Sequence, residues 1–287
     1  MITKEFINQV KDICQSYGIK PTKDKGQNFL LNQEVIDLMI ESSQVTNQDV
    51  VLEVGPGLGI LTESLVKQAR QVVSVELDKR LFTFLKTKFI NQPNLKLVEA
   101  DILKFDVADA ISGEYKIVAN LPYTITSFFL KKFLTGPATP KSFTLLLQKE
   151  VAERICALPG AMSLLAVSVQ LYGQPKIIEV VSRHDFWPSP KVDSAIIQIS
   201  AIKDKVAVDN FFSGLVTEKF FWQVVKIGFA ARRKQLHNNL ASGLKIPPGE
   251  VKKILNQANF DEQIRAQNLS VNDWLRLSAA LSSYLKK

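Results

Sequence analysis

The segment "DVVLEVGPGLGIL" (residues 49–61) places three glycines between a strand pattern and the start of a helix pattern. A loop of this kind lets a ligand approach the backbone closely and directs helix N–H groups toward it. A dinucleotide-binding loop has the spacing GxGxxG, and Ile60 stands where its third glycine would be. The glycines at Gly55, Gly57 and Gly59 therefore predict a nucleoside site, but not the wide cradle that a pyrophosphate needs.

Acidic residues end the next two predicted strands. Glu76 closes "QVVSVEL", where a carboxylate can bind both hydroxyls of a ribose. Asp101 closes "NLKLVEAD", where a carboxylate can accept a hydrogen bond from an adenine amino group. Each acid alone has the simpler interpretation of a solvated strand end. Together with the E-x-G-x-G-x-G loop, they are typical of methyltransferases that use S-adenosylmethionine.

Strand and helix patterns alternate through the first two thirds of the chain. Runs of valine, isoleucine and leucine in "DVVLEVG", "QVVSVEL" and "YKIVANL" predict strands of a mostly parallel sheet covered on both faces. After Gly160, "SLLAVSVQLYG", "KIIEVVSR" and "SAIIQIS" are strand candidates without helices between them, which predicts an antiparallel edge. We therefore expect an α/β, Rossmann-like class I methyltransferase fold.

The last third of the chain has helical spacing. In "FFWQVVKIGFAARRKQLHNNLASGL", apolar residues recur as on one face of a helix that continues over several turns. We predict a catalytic domain over residues 1–201 and a small all-helical domain over residues 202–287. Residues 202–287 carry 14 Lys and Arg against 7 Asp and Glu, whereas residues 1–201 carry 22 against 21. A basic helical domain is expected to face a polyanion, although a merely soluble basic cap has the same composition.

The composition argues against several classes of protein. No apolar run approaches the length of a bilayer span, and "MITKEFINQV" has no apolar core of a secretory signal. Cys14 and Cys156 are far apart in the sequence, and neither has a second cysteine or a histidine at the spacing of a metal-binding motif. We expect a cytoplasmic protein without a metal, a disulfide framework or a membrane partner.

A fourth strand end, "NLPY" (residues 120–123), has the residue types needed to orient an exocyclic amine. The N6 nitrogen of adenine is a poor nucleophile because its lone pair is delocalised into the ring. The Asn120 side chain and the Leu121 carbonyl could both accept N6 hydrogens and draw the nitrogen toward sp³ geometry. Pro122 restricts its own φ and the conformation before it, which directs that carbonyl. No strong general base is needed, because the amine becomes acidic only after it is methylated. The site is therefore predicted to act by orienting the amine toward the methyl group.

A base within a duplex would have to leave the stack to reach such a site. Extrusion costs a few kcal/mol, and one aromatic contact returns about 1–3 kcal/mol per base. Tyr123 is the first candidate for stacking, and Phe186 in "HDFWPSPKVDS" is the candidate for the opposite face of the base. The alternative interpretation of each is ordinary hydrophobic packing.

The chain resembles the rRNA adenine N6-dimethyltransferases, and most closely those of the small subunit. The resemblance runs nearly end to end through "KGQNFLLN", "EVGPGLGILT", "VELD", "EADIL", "NLPYTITS", "LLLQKEVAERICALPG", "FWPSPKVDSA" and "FAARRKQLHNNL". It implies transfer of methyl groups from S-adenosyl-L-methionine to the N6 atoms of two adjacent adenines near the 3′ end of 16S rRNA. The implied partner is 16S rRNA in the small subunit or its precursor, and we expect a monomer.

The resemblance also assigns residues to roles. Gln27, Asn28 and Leu30 would form a lid over the cofactor, and Asn120 would contact both cofactor and target amine. The full implied cofactor set is Gln27, Asn28, Leu30, Gly55, Gly57, Glu76, Leu77, Asp101, Ile102 and Asn120. The implied catalytic set is Asn120, Leu121, Pro122, Tyr123 and Phe186. The "FAARRK" helix would bind rRNA through Arg232, Arg233 and Lys234.

Two segments depart from the family pattern, and two other functions stay open. The stretch after "ALPG" is shorter and lacks a basic residue, and "KDK" before "GQNFL" carries an added acid. One alternative is a methylase of a large-subunit rRNA adenine, of the erythromycin-resistance type. The other is a ribosome-assembly or transcription factor that has lost catalysis. "NLPY" favours the small-subunit enzyme, and the intact Glu76, Asp101 and Asn120 argue against lost catalysis.

Overall fold

The structure is a computed structural model that describes residues 3–21, 27–122 and 124–285. The chain divides into two compact units, the first comprising Met1–Ala152 and Gln174–Ile202. The second comprises Glu153–Gly173 and Lys203–Lys287. The sequence predicts a single boundary near residue 202, and the structure differs by grouping Glu153–Gly173 with the C-terminal helices. A division of catalysis and rRNA binding between the two parts stays a prediction.

The described strands lie in the first unit. They are β1 (Phe29–Leu30), β2 (Val50–Val54), β3 (Gln71–Glu76), β4 (Leu95–Glu99), β5 (Lys116–Asn120), β6 (Phe143–Gln148), β7 (Gln174–Val181), β8 (Phe186–Trp187) and β9 (Ser194–Ser200). Seven of them form one sheet in the order β4-β3-β2-β5-β6-β9-β7, while β1 and β8 pair separately. The five strands from β4 to β6 pair in parallel, so their carboxyl ends meet at one edge of the sheet.

Apolar strands form the centre of this sheet. Every residue of β2 is buried, and Ile117, Val118 and Ala119 of β5 have no exposed surface. Strands that are buried on both faces have nearly continuous apolar sequences, as the sequences of β2 and β5 do. β9 pairs antiparallel with β6 and β7, so the predicted antiparallel edge is confirmed.

Helices cover the sheet and connect its strands. Those of the first unit are α1 (Lys4–Ser16), α2 (Gln33–Ser43), α3 (Ile60–Gln68), α4 (Lys79–Lys88) and α5 (Thr126–Thr135), and α6 (Lys149–Ile155) crosses into the second unit. α2 was not among the predicted helices, although the sequence contains a cap and an apolar face for it. Asn32 caps it by accepting a hydrogen bond from the Glu34 N–H at 3.0 Å. Ile36, Met39 and Ile40 recur at helical spacing and are buried.

One strand prediction is wrong. "SLLAVSVQLYG" contains α7 (Leu164–Gln170), a helix of the second unit. The Ser163 side chain caps the helix by accepting a hydrogen bond from the Ala166 N–H at 3.2 Å. The Gln170 Nε2 donates to the carbonyls of Ile155 and Ala157, each at 2.9 Å. Capping and tertiary contacts therefore outweigh the strand propensity of the valines.

The rest of the second unit is helical. Its helices are α8 (Lys205–Phe212), α9 (Glu218–Gly228), α10 (Leu236–Leu244), α11 (Pro248–Gln257) and α12 (Val271–Leu285). The predicted continuous helix over the "FAARRK" segment is wrong, because a turn separates α9 from α10. The Asn239 Nδ2 donates to the carbonyls of Gly228 and Ala231, at 2.7 and 3.2 Å, and so holds the end of α9. Trp274, which is fully buried, packs where a side chain at Gly228 would lie.

The predicted fold class is confirmed: a mostly parallel sheet with an antiparallel edge, and a helical C-terminal region. Within the described ranges, no helix combines the length and apolarity that crossing a bilayer requires. The same residues contain no group of three or more His, Cys, Asp and Glu side chains placed to hold a metal ion.

Candidate active site

A cavity of about 320 Å³ lies at the carboxyl ends of β2, β3, β4 and β5. In an open α/β sheet, ligands bind beyond this edge of the strands. Four residues mark the strand ends in the cavity wall: Gly55 after β2, Glu76 on β3, Asp101 after β4 and Asn120 on β5. The residues that the sequence predicts for one site are therefore brought together within the first unit.

The glycine loop forms the floor between β2 and α3. Gly55, Gly57 and Gly59 have φ angles of 63°, 59° and 75°, a region that other residues enter only with strain. A Cβ at Gly57 would lie 3.1 Å from the Phe29 ring, which is closer than ordinary van der Waals contact. The loop therefore needs glycine both for its backbone angles and for close packing beside the cavity.

Glu76 is held by the backbone on both of its oxygens. Its Oε1 accepts a hydrogen bond from the Asp78 N–H at 2.8 Å, and its Oε2 accepts one from the Gly57 N–H at 3.3 Å. The side chain is 6% exposed, and burial raises the pKa of the Glu76 carboxyl, partly opposed by those two hydrogen bonds. A carboxylate accepts about four hydrogen bonds, so both oxygens keep capacity for a pair of ligand hydroxyls.

Asp101 begins a tight turn at the next strand end. Its Oδ1 accepts a hydrogen bond from the Leu103 N–H at 2.9 Å, and its backbone carbonyl accepts one from the Phe105 N–H at 2.8 Å. Ile102 is buried in the cavity wall, whereas Leu77, which also lines the cavity, is 67% exposed. The arrangement combines one carboxylate with apolar surface, as a purine ring requires.

The strand end at Asn120 is tied to the segment before β1. The Asn120 Nδ2 donates to the Asn28 carbonyl at 3.3 Å, so Oδ1 is the atom of this amide that can accept hydrogen from a bound amine. The Leu121 N–H donates to the Leu146 carbonyl at 3.2 Å, which extends the sheet pairing past the end of β5. Leu121 and Pro122 line the cavity, and Tyr123 lies outside the described residues.

The predicted lid residues Gln27, Asn28 and Leu30 all line the cavity. The Gln27 Nε2 donates to Asp78 Oδ2 at 3.5 Å, which links this segment to the residues after β3. β1 pairs antiparallel with β8, with Leu30 opposite Phe186. The segment is thus anchored by strand pairing on one side and side-chain contacts on the other.

Phe186 does not line the cavity. Its side chain is 4% exposed and packs in the hydrophobic cluster that includes Leu30, Ile36 and Ile196. Leu30 and Ile36 belong to the cavity wall, so Phe186 lies in the layer behind it. Its role as a stacking partner of a base stays a prediction, and reaching a ligand would require a different side-chain position.

Sequence reasoning missed Glu53, a cavity residue on β2. It is 1% exposed, and its Oε2 accepts hydrogen bonds from Thr62 Oγ1 at 2.8 Å and Ser74 Oγ at 2.5 Å. Its Oε1 has no hydrogen-bond partner among the described residues. Burial raises the pKa of the Glu53 carboxyl to about 7, opposed by Ser74 and Thr62. The signal was the first acid of the E-x-G-x-G-x-G pattern.

The predicted RNA-binding cations lie in the second unit. Arg232, Arg233 and Lys234 are exposed in the turn between α9 and α10, not on a helix. A hydrogen bond from the Lys234 N–H to the Ala231 carbonyl, at 3.1 Å, closes the turn. Three exposed cations on consecutive residues form a compact positive surface.

Comparisons with known proteins agree with this geometry. The model of the family described as "Ribosomal RNA adenine dimethylase" matches residues 19–283. "Ribosomal RNA small subunit methyltransferase A" of Dehalococcoides mccartyi is 40% identical over 277 residues, which cover 96% of this chain and 93% of that protein. The protein of the same name from Clostridioides difficile is 36% identical, with 96% of each chain covered.

Two solved structures are similar along most of the chain. A dimethyladenosine transferase from Plasmodium falciparum is 26% identical with a TM-score of 0.73, covering 90% of this chain and 98% of that one. The 23S rRNA methyltransferase ErmE is 29% identical with a TM-score of 0.68, covering 89% of this chain and 100% of that one. The similarity thus includes both the sheet and the helical region.

Proposed function

The chain belongs to the ribosomal RNA adenine dimethylase family, and from this premise we propose that it dimethylates N6 of two adjacent adenines near the 3′ end of 16S rRNA. S-adenosylmethionine is the methyl donor, and the reaction is a step of small-subunit maturation in the cytoplasm. The observation that carries the proposal is one cavity lined by the glycine loop, by Glu76 and Asp101, and by Asn120.

The residues of the cavity fit S-adenosylmethionine. A Cβ at Gly57 would make a tight contact with the Phe29 ring, and the buried Glu53 offers an oxygen without a partner among the described residues. Gly55 and Gly57 would hold the methionine part, Glu76 the ribose hydroxyls and Asp101 the adenine amine. When bound, this donor supplies a methyl group on a positively charged sulfur.

Asn120 and Leu121 orient the target amine. The Asn120 Nδ2 is engaged by the Asn28 carbonyl, which holds the amide plane and leaves Oδ1 as the acceptor for one N6 hydrogen. The Leu121 carbonyl accepts the second hydrogen, and Pro122 limits the rotation of that carbonyl. With both hydrogens held, the nitrogen lone pair points away from the ring toward the methyl group. The rate gain comes from orientation, which needs no strong base.

The base must leave its stack to reach this site. Extrusion costs a few kcal/mol, so stacking against protein rings must return a similar amount. We assign that contact to Tyr123, next to the amine-binding residues, and to Phe186 after a side-chain movement. Arg232, Arg233 and Lys234 would bind phosphates of the rRNA, in a unit that carries most of the net positive charge.

Methyl transfer in vitro tests the proposal. Small and large ribosomal subunits that lack these modifications would be incubated with the protein and labelled S-adenosylmethionine, and primer extension would map the modified adenines. We expect label and primer stops near the 3′ end of 16S rRNA. A stop at a large-subunit adenine would favour the erythromycin-resistance activity. Absence of transfer to either subunit would favour a non-catalytic assembly or transcription factor.

A further inference from the structure

Lys132 joins two parts of the candidate site that the sheet keeps apart. The turn after β4 carries Asp101 and Ile102, whereas α5 follows directly after the Asn120 segment of β5. In the sheet, β3 and β2 lie between β4 and β5. Neighbouring strands are about 4.8 Å apart, so the two strand ends are separated by about 14 Å and make no direct contact through the sheet.

The Lys132 ammonium bridges this gap from α5. Its Nζ donates to the Ile102 carbonyl at 2.9 Å and to the Phe105 carbonyl at 2.5 Å. These two carbonyls lie on the turn that Asp101 begins. Because hydrogen bonds from a charged donor are stronger than neutral ones, this contact restrains the turn at two points.

The surroundings of Lys132 fit a structural cation that contacts the Ile102 carbonyl from outside the cavity lining. The side chain is half-buried, and burial lowers the pKa of its ammonium while the charges of Asp106 and Asp101 oppose that effect. The next residue along the helix, Lys131, is exposed. Two adjacent lysines therefore differ in environment, which provides a matched pair for comparison.

We propose that Lys132 is a positioning residue that holds the Asp101–Ile102 turn in place for the adenine of the cofactor. The inference rests on the proposed function, because it assigns the adenine to this turn. Without the ammonium, the Ile102 and Phe105 carbonyls lose their shared donor and the turn can move away from α5. Selection for the 6-amino group of the cofactor would then weaken, while the ribose contact at Glu76 stays in place.

The test measures selection for the amino group by calorimetry. S-adenosylhomocysteine and S-inosylhomocysteine differ at this group, where the second carries an oxygen. The ratio of their Kd values would be determined for the wild type, Lys132→Met, Lys132→Arg and the matched control Lys131→Met. For Lys132→Met we expect about tenfold weaker binding of the adenosyl ligand and a smaller loss for the inosyl ligand. Lys131→Met should keep the wild-type ratio, and Lys132→Arg should restore most of it.

Two other results have different meanings. In the first, the wild type binds S-adenosylhomocysteine while Lys132→Met has the same ratio of the two Kd values, whether or not both Kd values rise. In that case Lys132 has no role in holding the adenine turn. If Lys132→Met does not fold, Lys132→Arg and Lys132→Gln would be compared instead, because arginine keeps a charged donor and glutamine only a neutral one. A ratio of Kd values that changes more in Lys132→Gln than in Lys132→Arg would support the role of Lys132 in holding the turn. The same ratio in both variants and the wild type would overturn it. If the wild type binds neither ligand, the proposed function itself fails.

Discussion

Replacing Glu53 by glutamine should change how the stability of the protein depends on pH. The Glu53 side chain is 1% exposed, and burial is the largest cause of its raised pKa. The nearby charge of Glu76 raises the pKa further, while Lys88 lowers it. Glutamine has nearly the same shape and can still accept hydrogen bonds from Thr62 and Ser74, but it cannot ionise.

The size of the effect follows from the two pKa values. The Glu53 carboxyl has a pKa of about 7 in the folded chain, against the ordinary value of 4.5. Below pH 4.5 both states hold the proton, and stability is unaffected. Between pH 4.5 and 7 the unfolded chain releases the proton while the folded chain keeps it, so stability falls as pH rises. The loss totals about 3 kcal/mol and stays constant at higher pH.

Urea denaturation from pH 4.5 to pH 8 would measure this effect. The free energy of unfolding of the wild type, minus that of Glu53→Gln, should fall by about 3 kcal/mol across the range. Glu99→Gln, which changes an exposed glutamate on β4, provides the baseline for substitutions of this type. If this difference in the free energy of unfolding does not vary with pH, Glu53 is not a buried carboxyl with a raised pKa.

Three further predictions concern the site and the RNA surface. Asn120→Ala should lower kcat about a hundredfold and weaken S-adenosylhomocysteine binding much less, because its main role is to hold the amine; equal losses in both would contradict that role. Changing Arg232, Arg233 and Lys234 to glutamine should weaken rRNA binding and reduce the slope of log K against log salt by about three. An unchanged slope would remove them from the interface. Gly57→Ala should cost about 1–2 kcal/mol of stability because φ is positive there, and should weaken cofactor binding in calorimetry; wild-type values would contradict a tight loop.

Several residues that the sequence singled out line one cavity because they stand at strand ends, and their roles toward a ligand stay predictions. Parallel strands bring their carboxyl ends to one edge, so Gly55, Glu76, Asp101 and Asn120 had to converge once the strands were identified. Gln27 and Asn28, which the family resemblance implied, line the same cavity, and their role as a lid stays a prediction. Glu53, the first acid of the E-x-G-x-G-x-G pattern, was not assigned a place in the site, because its burial depends on contacts with Thr62 and Ser74, 9 and 21 residues away in the chain.

The errors in the fold come from contacts that sequence periodicity does not contain. Residues 164–170 have strand-like composition, but a serine cap and side-chain hydrogen bonds from Gln170 favour the helix. The break between α9 and α10 depends on Asn239, which binds carbonyls eight and eleven residues earlier in the chain. The burial of Phe186 depends on its pairing with Leu30, far away in sequence. Contacts of this range appear only when the chain is folded.

A crystal structure with S-adenosylhomocysteine and a short RNA from the 3′ end of 16S rRNA would test the central claim most directly. We expect an adenine turned out of its stack, with N6 about 3 Å from both Asn120 Oδ1 and the Leu121 carbonyl. The cofactor would lie along the glycine loop, with its ribose at Glu76. An Asn120 side chain that points away from the cavity, with no space for a base beside the cofactor, would show that Asn120 does not hold the target amine.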